Sequence, residues 1–447
     1  MYIKRFIDNE LLTWKGAKNH KPLLLRGARQ IGKSSSVREF GKLFDNFVEV
    51  NFEKKEHLQT QKVFEQFSSP KSIIEELEAI YGQKIVAGKT LLFLDEIQSC
   101  IPAISALRFF YEEMPGLHVI AAGSLLEFAL QELPSFGVGR ISSVFMYPLC
   151  FFEYLQALGF DAMIDKISTA TTEKPLSDAL HTSILNHLVR FIAIGGMPEV
   201  VKSYIENQSL LDCQQVLDEL MTTYYDDFAK YKKRVLPTRL RDVFSAVMEQ
   251  TCKKFIYSKA SESANIDQVK EALQLLEMAG LIYPVYHSSA NGIPIGTKIN
   301  RKFTKYLPFD TGVLQRFLGL NIGEILIGET LEQINKGDIA ELFVGLEMLK
   351  AMPTSSRSQL YYWQREKNGS QAEVDYLIQK GNKIIPIEVK SGTTGKMQSL
   401  HLFINEKQSE YAIRTSLENF GQYNKIRVYP LYAIRQIIPN NFDINFG

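Results

Sequence analysis

From Lys21 to about Pro148, short apolar runs alternate with stretches of helical periodicity. Leu23–Leu25, Phe47–Phe52, Leu91–Leu94, His118–Ala122 and Ile141–Met146 read as five buried strands, with helices such as Ser72–Tyr81 between them. This alternation predicts an α/β fold: a parallel sheet with helices on both faces. Beyond Pro148 the pattern turns mostly helical. The polar stretch Asp165–Asp178 reads as a surface loop, and helices are expected over much of Leu180–Lys230. The run KYKKRVLPTRLR, Lys230–Arg241, is the densest basic patch and marks a domain junction, with Pro237 as punctuation.

In the next stretch Val269, Ala272, Leu273 and Leu276 recur on one helix face. Gly280 stops that helix, and Asn265 or Asp267 caps its start. Two strand-like runs follow, Leu281–His287 and Lys302–Phe309, around a glycine-containing tip. Helix, helix, hairpin is the order of a winged helix. Gly319–Gly337 makes a further boundary. After it come a helix (Asp338–Lys350), a loop (Pro353–Ser358) and strands at Tyr361–Gln364, Val374–Gln379 and Lys383–Lys390. The chain thus divides at 1–230, 231–325 and 326–447, in line with the roughly three domains that its length predicts.

Composition narrows the class. With 45% hydrophobic and 23% charged residues, the chain is an ordinary soluble globular type. Its net charge of +1 supplies no global field for nucleic acid, so any DNA-binding surface must be local. The four cysteines form no CxxC pair and the seven histidines no metal-ligand spacing, which fits reduced thiols in the cytoplasm. Asp8 and Glu10 interrupt the place of a signal peptide's apolar core. No run is long enough for a membrane span, so no membrane partner is expected.

The strongest chemical signal is Gly27-Ala28-Arg29-Gln30-Ile31-Gly32-Lys33-Ser34, directly after the first strand and before a helix. It fits GxxxxGK[ST], the loop that cradles nucleotide phosphates. Backbone N–H groups from Gly27 to Ser35 would face phosphate oxygens. Lys33 would reach the β- and γ-phosphates, and Ser34 would ligate Mg²⁺. The partner motif LLFLDEIQ ends a buried strand at Asp95, a second Mg²⁺ ligand, and Glu96 follows as the base for an attacking water. Asp followed by Glu marks nucleotide hydrolysis with an acidic base, so ATP and Mg²⁺ are the expected cofactors. Ser124, after the fourth strand, is either a γ-phosphate sensor or a helix cap. Arg140 is either an arginine finger for its own or a neighbour's site, which would imply a homo-oligomer, or a solvated loop residue.

GARQIGKS and LLFLDEIQ, with AAGSLLEF, VGRISSVFMYPLCFFEYL and AIGGMPEVV, resemble the AAA-type predicted ATPases of bacteria and archaea. The resemblance extends to the C-terminus. It implies a P-loop NTPase (AAA-like) core with a helical lid, a winged helix and a restriction-endonuclease-like α/β domain of unknown function, and it supplies no substrate.

The expected recognition helix exposes three acids against one lysine, a poor face for phosphates. Lys298, Arg301, Lys302 and Lys305 on the hairpin are better placed for DNA, with the Lys230–Arg241 run beside them. The alternative is a module that docks another domain or a protein partner.

The last segment holds Glu341, Asp375, Glu388 and Lys390. Glu388 and Lys390 share one face of a strand. A turn at Lys380–Asn382 would bring Asp375 beside Glu388, and Glu341 would complete a cage of three carboxylates for Mg²⁺, with Lys390 positioning the attacking water. This resembles the D…ExK arrangement of restriction-endonuclease-like enzymes, and Glu341 in KGDIAELF resembles the leading acid of Holliday-junction resolvases. Val374 in place of proline before the aspartate, and Pro386 within the strand, depart from that pattern. The expectation is an ATP-hydrolysing protein acting in DNA processing or mobility. The rival is a regulatory ATPase switch whose other modules dock without cutting.

Overall fold

The structure is a computed structural model that describes residues 1–124, 126–132, 139–231, 234–320, 336–365, 372–393 and 397–438. Two compact units make up the chain: residues 1–148 with 278–280 and 354–357, and the remainder.

In the first unit five strands, β1 (Leu23–Arg26), β2 (Asn46–Asn51), β3 (Thr90–Asp95), β4 (His118–Ala122) and β5 (Ser142–Phe145), form one sheet. Their spatial order is β2-β3-β4-β1-β5, and every neighbouring pair is parallel. All residues of β3 and β4 are buried, which accounts for their unbroken apolar runs. Parallel pairing brings the carboxyl ends to one edge, so Arg26, Asn51, Asp95 and Ala122 end side by side there. β4 lies between the strand that enters the glycine loop and the strand that ends at Asp95. The helix expected at Ser72–Tyr81 spans Pro70–Tyr81, with Pro70 in its first turn and Ile73, Ile74 and Leu77 buried against the sheet's apolar core.

The second unit is a set of helices and one mixed sheet. The loop expected from Asp165 begins only at Ala170, because Ile164 and Ile167 bury one face of a helix, Asp161–Thr169. Strands β6 (Ile282–Ser288) and β7 (Ile299–Pro308) form the expected hairpin. The others are β8 (Leu360–Gln364), β9 (Glu373–Lys380), β10 (Lys383–Val389), β11 (Ala412–Ser416), β12 (Gly421–Tyr423) and β13 (Ile426–Pro430). β6 pairs in parallel with β8, so all eight join in the order β12-β13-β11-β10-β9-β8-β6-β7. The hairpin read as a wing is therefore the edge of the C-terminal sheet. The expected boundary at 325/326 lies outside the described residues, as do Lys232 and Lys233 of the basic run.

Pro386 fits β10 because the parallel ladder to β11 begins at Ile387. Gly195 and Gly196 follow the helix Asp178–Ile194. A Cβ on Gly195, whose φ is +77°, would meet Asp310 Oδ1 at 2.1 Å, while the Gly196 N–H donates to Asp310 Oδ2 at 2.7 Å. The glycine pair is thus a close-approach device. Among the described residues no helix is long and apolar enough to cross a membrane.

Candidate functional site

The glycine loop leaves β1 at Gly27, whose φ of +135° and crowded surroundings exclude a side chain: a Cβ would lie 2.2 Å from the Met146 carbonyl oxygen. Gly32, at φ +95° and ψ +15°, turns the chain into the helix Lys33–Gly41. Arg29, Gln30 and Ile31 span the loop between these turns, with Gln30 left-handed and Ile31 wholly buried. Buried Arg5 holds the apex from the N-terminal segment, donating to the Ile31 carbonyl at 2.9 Å and the Tyr147 carbonyl at 2.7 Å. Ser35, on the first turn of the helix, is exposed.

Lys33 Nζ donates to the carbonyls of Gly27 (2.9 Å) and Ala28 (2.6 Å), so its ammonium sits inside the loop. Burial lowers its pKa to about 8, against the opposing pull of Glu96 and Asp95. An anion seated in the loop would relieve that cost. Ser34 Oγ donates to Asp95 Oδ1 at 2.9 Å, which brings two hard oxygens from β1's loop and β3's end together. Asn51 donates to Asp95 Oδ2 at 3.0 Å, and Arg38, paired with Glu49, lies 3.7 Å from the same oxygen. Burial raises Asp95 above its ordinary range and the Ser34 hydroxyl pulls it back. A buried carboxylate beside a serine hydroxyl fits a Mg²⁺ ion, which prefers oxygen ligands.

Glu96 sits in the left-handed region, φ +50° and ψ +43°, which is uncommon for a glutamate and marks a strained turn at the strand end. Its Oε2 accepts from Gln98 Nε2 at 2.6 Å, and lies 3.4 Å from both the backbone nitrogen and Oγ of Ser124. Because β4 runs between β1 and β3, Ser124 emerges between the loop and the acidic pair. The structure thus brings Lys33, Ser34, Asp95, Glu96 and Ser124 to one sheet edge. Arg140 is paired with Glu112 at the end of the helix Ile101–Glu113.

Residues 19–155 match the family model of an AAA domain. Over those residues the chain is similar to an AAA domain. The parallel five-stranded sheet and the glycine loop before the helix Lys33–Gly41 give this unit an AAA-like P-loop fold. Residues 185–322 match one domain of unknown function (DUF8612) and residues 336–434 another (DUF4143). No curated protein matches the chain. Among solved structures, a Walker-type ATPase of Pyrococcus abyssi is 14% identical with a TM-score of 0.46, covering 71% of this chain and 96% of that one. An Orc1 protein of Aeropyrum pernix in complex with DNA is 11% identical with a TM-score of 0.27, covering 72% and 90%. A signal-transduction ATPase with a tetratricopeptide repeat sensor, from Pyrococcus horikoshii, is 13% identical with a TM-score of 0.27, covering 79% and 46%.

The N-terminal unit also brings polar groups to this sheet edge that the sequence motifs did not single out. Asn51 is the last residue of the β2 run, and parallel pairing of its strand to β3 (Asn51 opposite Asp95) would have pointed to it. Gln98 stands within the quoted acidic motif. Arg5 carries no sequence signal.

A second cluster lies in the other unit. β9 and β10 pair so that Tyr376 faces Ile387, and one step further sets Asp375 beside Glu388. Asp375 Oδ2 accepts from the Val389 N–H at 2.7 Å, and Lys390 Nζ donates to Glu388 Oε1 at 2.6 Å. The other oxygen, Glu388 Oε2, is buried without a hydrogen-bond partner. Burial, then Asp375, pushes Glu388 up to about 7.

The cage of three carboxylates is not formed. Among the described residues no group of three or more His, Cys, Asp or Glu side chains is arranged to hold a metal ion. Lys305, expected to reach DNA from the hairpin, is instead 1% exposed and takes up Glu341. Its Nζ donates to Glu341 Oε1 at 3.0 Å and to Glu373 Oε1 at 2.5 Å. Burial works against its charge, yet Glu341, Glu373 and Asp375 together raise its pKa well above the ordinary lysine value. Asp375 and Glu388, with one orphaned oxygen between them, still fit a single hard cation.

Proposed function

We propose that this chain is a Mg²⁺-dependent ATP hydrolase acting in DNA processing or mobility, with a C-terminal nuclease-like module. The observation that carries the reading is the meeting of Ser34 and Asp95 at 2.9 Å beside Lys33 and Glu96. In this reading the loop from Gly27 to Ser35 presents its backbone N–H groups to the phosphates and Lys33 neutralises the β- and γ-phosphate oxygens. Ser34 and Asp95 would hold the Mg²⁺ ion, which would supply charge neutralisation to the phosphates. Glu96 takes a proton from the attacking water, kept in place by Gln98, and Ser124 reports the γ-phosphate to Glu96. Arg140 serves a neighbour's site or its own after leaving Glu112.

For the C-terminal module, Asp375 and Glu388 hold a divalent cation and Lys390 positions a water against a phosphodiester. The orphaned Glu388 Oε2 supports this half of the reading. The second reading is a regulatory ATPase switch with docking modules that do not cut. What favours it is the diversion of Glu341 to Lys305. Cleavage of supercoiled, linear and branched DNA, with Mg²⁺ or Mn²⁺ and with or without ATP, separates the two. Cleavage by wild type that Lys390→Ala abolishes is the expected result. ATP hydrolysis without cleavage of any substrate would leave the switch.

A further inference from the structure

Six ionisable side chains meet in the second unit: Glu341, Glu373, Asp375, Glu388, Lys305 and Lys390. Their contacts divide them. Lys390 pairs with Glu388, Asp375 is held by the Val389 N–H, and Lys305 bridges Glu341 and Glu373. Lys305 is on β7, Glu341 on the helix Lys336–Ala351 and Glu373 at the start of β9, so the bridge ties three elements that are far apart in sequence. The Lys305 ammonium also stands 4.8 Å from the centre of the Tyr362 ring, whose face favours a cation.

Nothing in the reading of Asp375, Glu388 and Lys390 uses this lysine, and its burial is what a surface lysine of a hairpin would avoid. A buried ammonium survives only with partners, and breaking a buried pair leaves an uncompensated charge. A divalent ion taking Glu341 would therefore have to strip Lys305 of a carboxylate that it cannot replace from solvent. We propose that Lys305 is the built-in cation of this cluster: its ammonium fills the position between Glu341 and Glu373 and withdraws Glu341 from any divalent site. The remaining site is Asp375 with Glu388 alone, and this last point rests on the metal-binding reading above.

The test is Mn²⁺ binding by the full, nucleotide-free chain, followed by the electron paramagnetic resonance of free Mn²⁺. Wild-type binding is expected to weaken about tenfold or more in Glu388→Gln and to stay within about threefold in Glu341→Gln. Lys305→Met, which keeps the length of the side chain and removes its charge, is expected to gain a site about tenfold tighter that Glu341→Gln then removes. Equal losses in Glu341→Gln and Glu388→Gln would overturn the proposal while leaving the metal reading intact. Absence of binding by wild type, with a gain in Lys305→Met, would remove the metal reading and keep the proposal. No gain in a folded Lys305→Met overturns it. Should Lys305→Met not fold, the double variant Lys305→Met/Glu341→Gln is expected to recover a cooperative melting transition. Failure of that rescue also overturns the proposal.

Discussion

Gly123 has no side chain because Gln98 needs its place: a Cβ there would come within 1.9 Å of Gln98 Oε1. Gln98 in turn donates to Glu96, the carboxylate assigned to the attacking water. The overlap involves the far end of a flexible side chain, so the fold can absorb an alanine while Glu96 loses its support. Gly123→Ala is expected to shift the melting midpoint by only about 2–4 °C. ATP turnover should fall several-fold; a melt and a steady-state assay on the same preparation check both, and unchanged turnover would detach Gln98 from the site. At this scale the placement of residues at fixed spacing was legible: Gly27 and Gly32 turn the loop, and Lys33, Ser34, Asp95 and Glu96 meet at one sheet edge. Lys305 was not, because Arg301, Lys302 and Lys305 look alike in a run of cations, and only the pairing of β7 into a sheet decides which one turns inward.

Among the elements, the glycine pair at 195–196 and the helix Thr311–Phe317 share one buried aspartate. Asp310 is the N-cap of that helix, accepting from Val313 N–H at 3.0 Å, and it also accepts from Gly196 N–H at 2.7 Å, more than a hundred residues away in sequence. Asp310→Ala would leave two buried N–H groups unpaired, a loss of about 2–4 kcal/mol. Urea unfolding of the full chain should show the transition of the second unit at lower denaturant, and an unmoved midpoint would mean that water replaces the carboxylate. A similar node explains the YPLCFFEYL block. Glu153 accepts from the Cys150 N–H at 2.9 Å and Glu347 from the Phe151 N–H at 3.1 Å, so the start of that helix is held by two buried carboxylates. These blocks were visible as motifs, but their purpose was not, since Asp310 and Glu347 come from distant segments. Strands of the first unit were legible to within two residues because each carries a short buried apolar run; the helix Asp161–Thr169 was missed because Ile164 and Ile167 are its only buried residues.

On the scale of the molecule, α/β alternation and a complete P-loop led to an AAA-like domain, and the sheet order β2-β3-β4-β1-β5 places its acidic pair one strand away from the loop. The organisation of the remainder was less legible. A helix–helix–hairpin order is local, whereas the parallel pairing of β6 with β8 joins segments more than seventy residues apart. The account stands or falls on the acidic pair acting in hydrolysis. The measurement that tests it most directly is ATP binding and single-turnover hydrolysis by wild type and Glu96→Gln, side by side with Mg²⁺ present. Glu96→Gln is expected to bind ATP within about threefold of wild type while hydrolysis slows at least about tenfold. Equal hydrolysis rates in the two proteins would contradict the account.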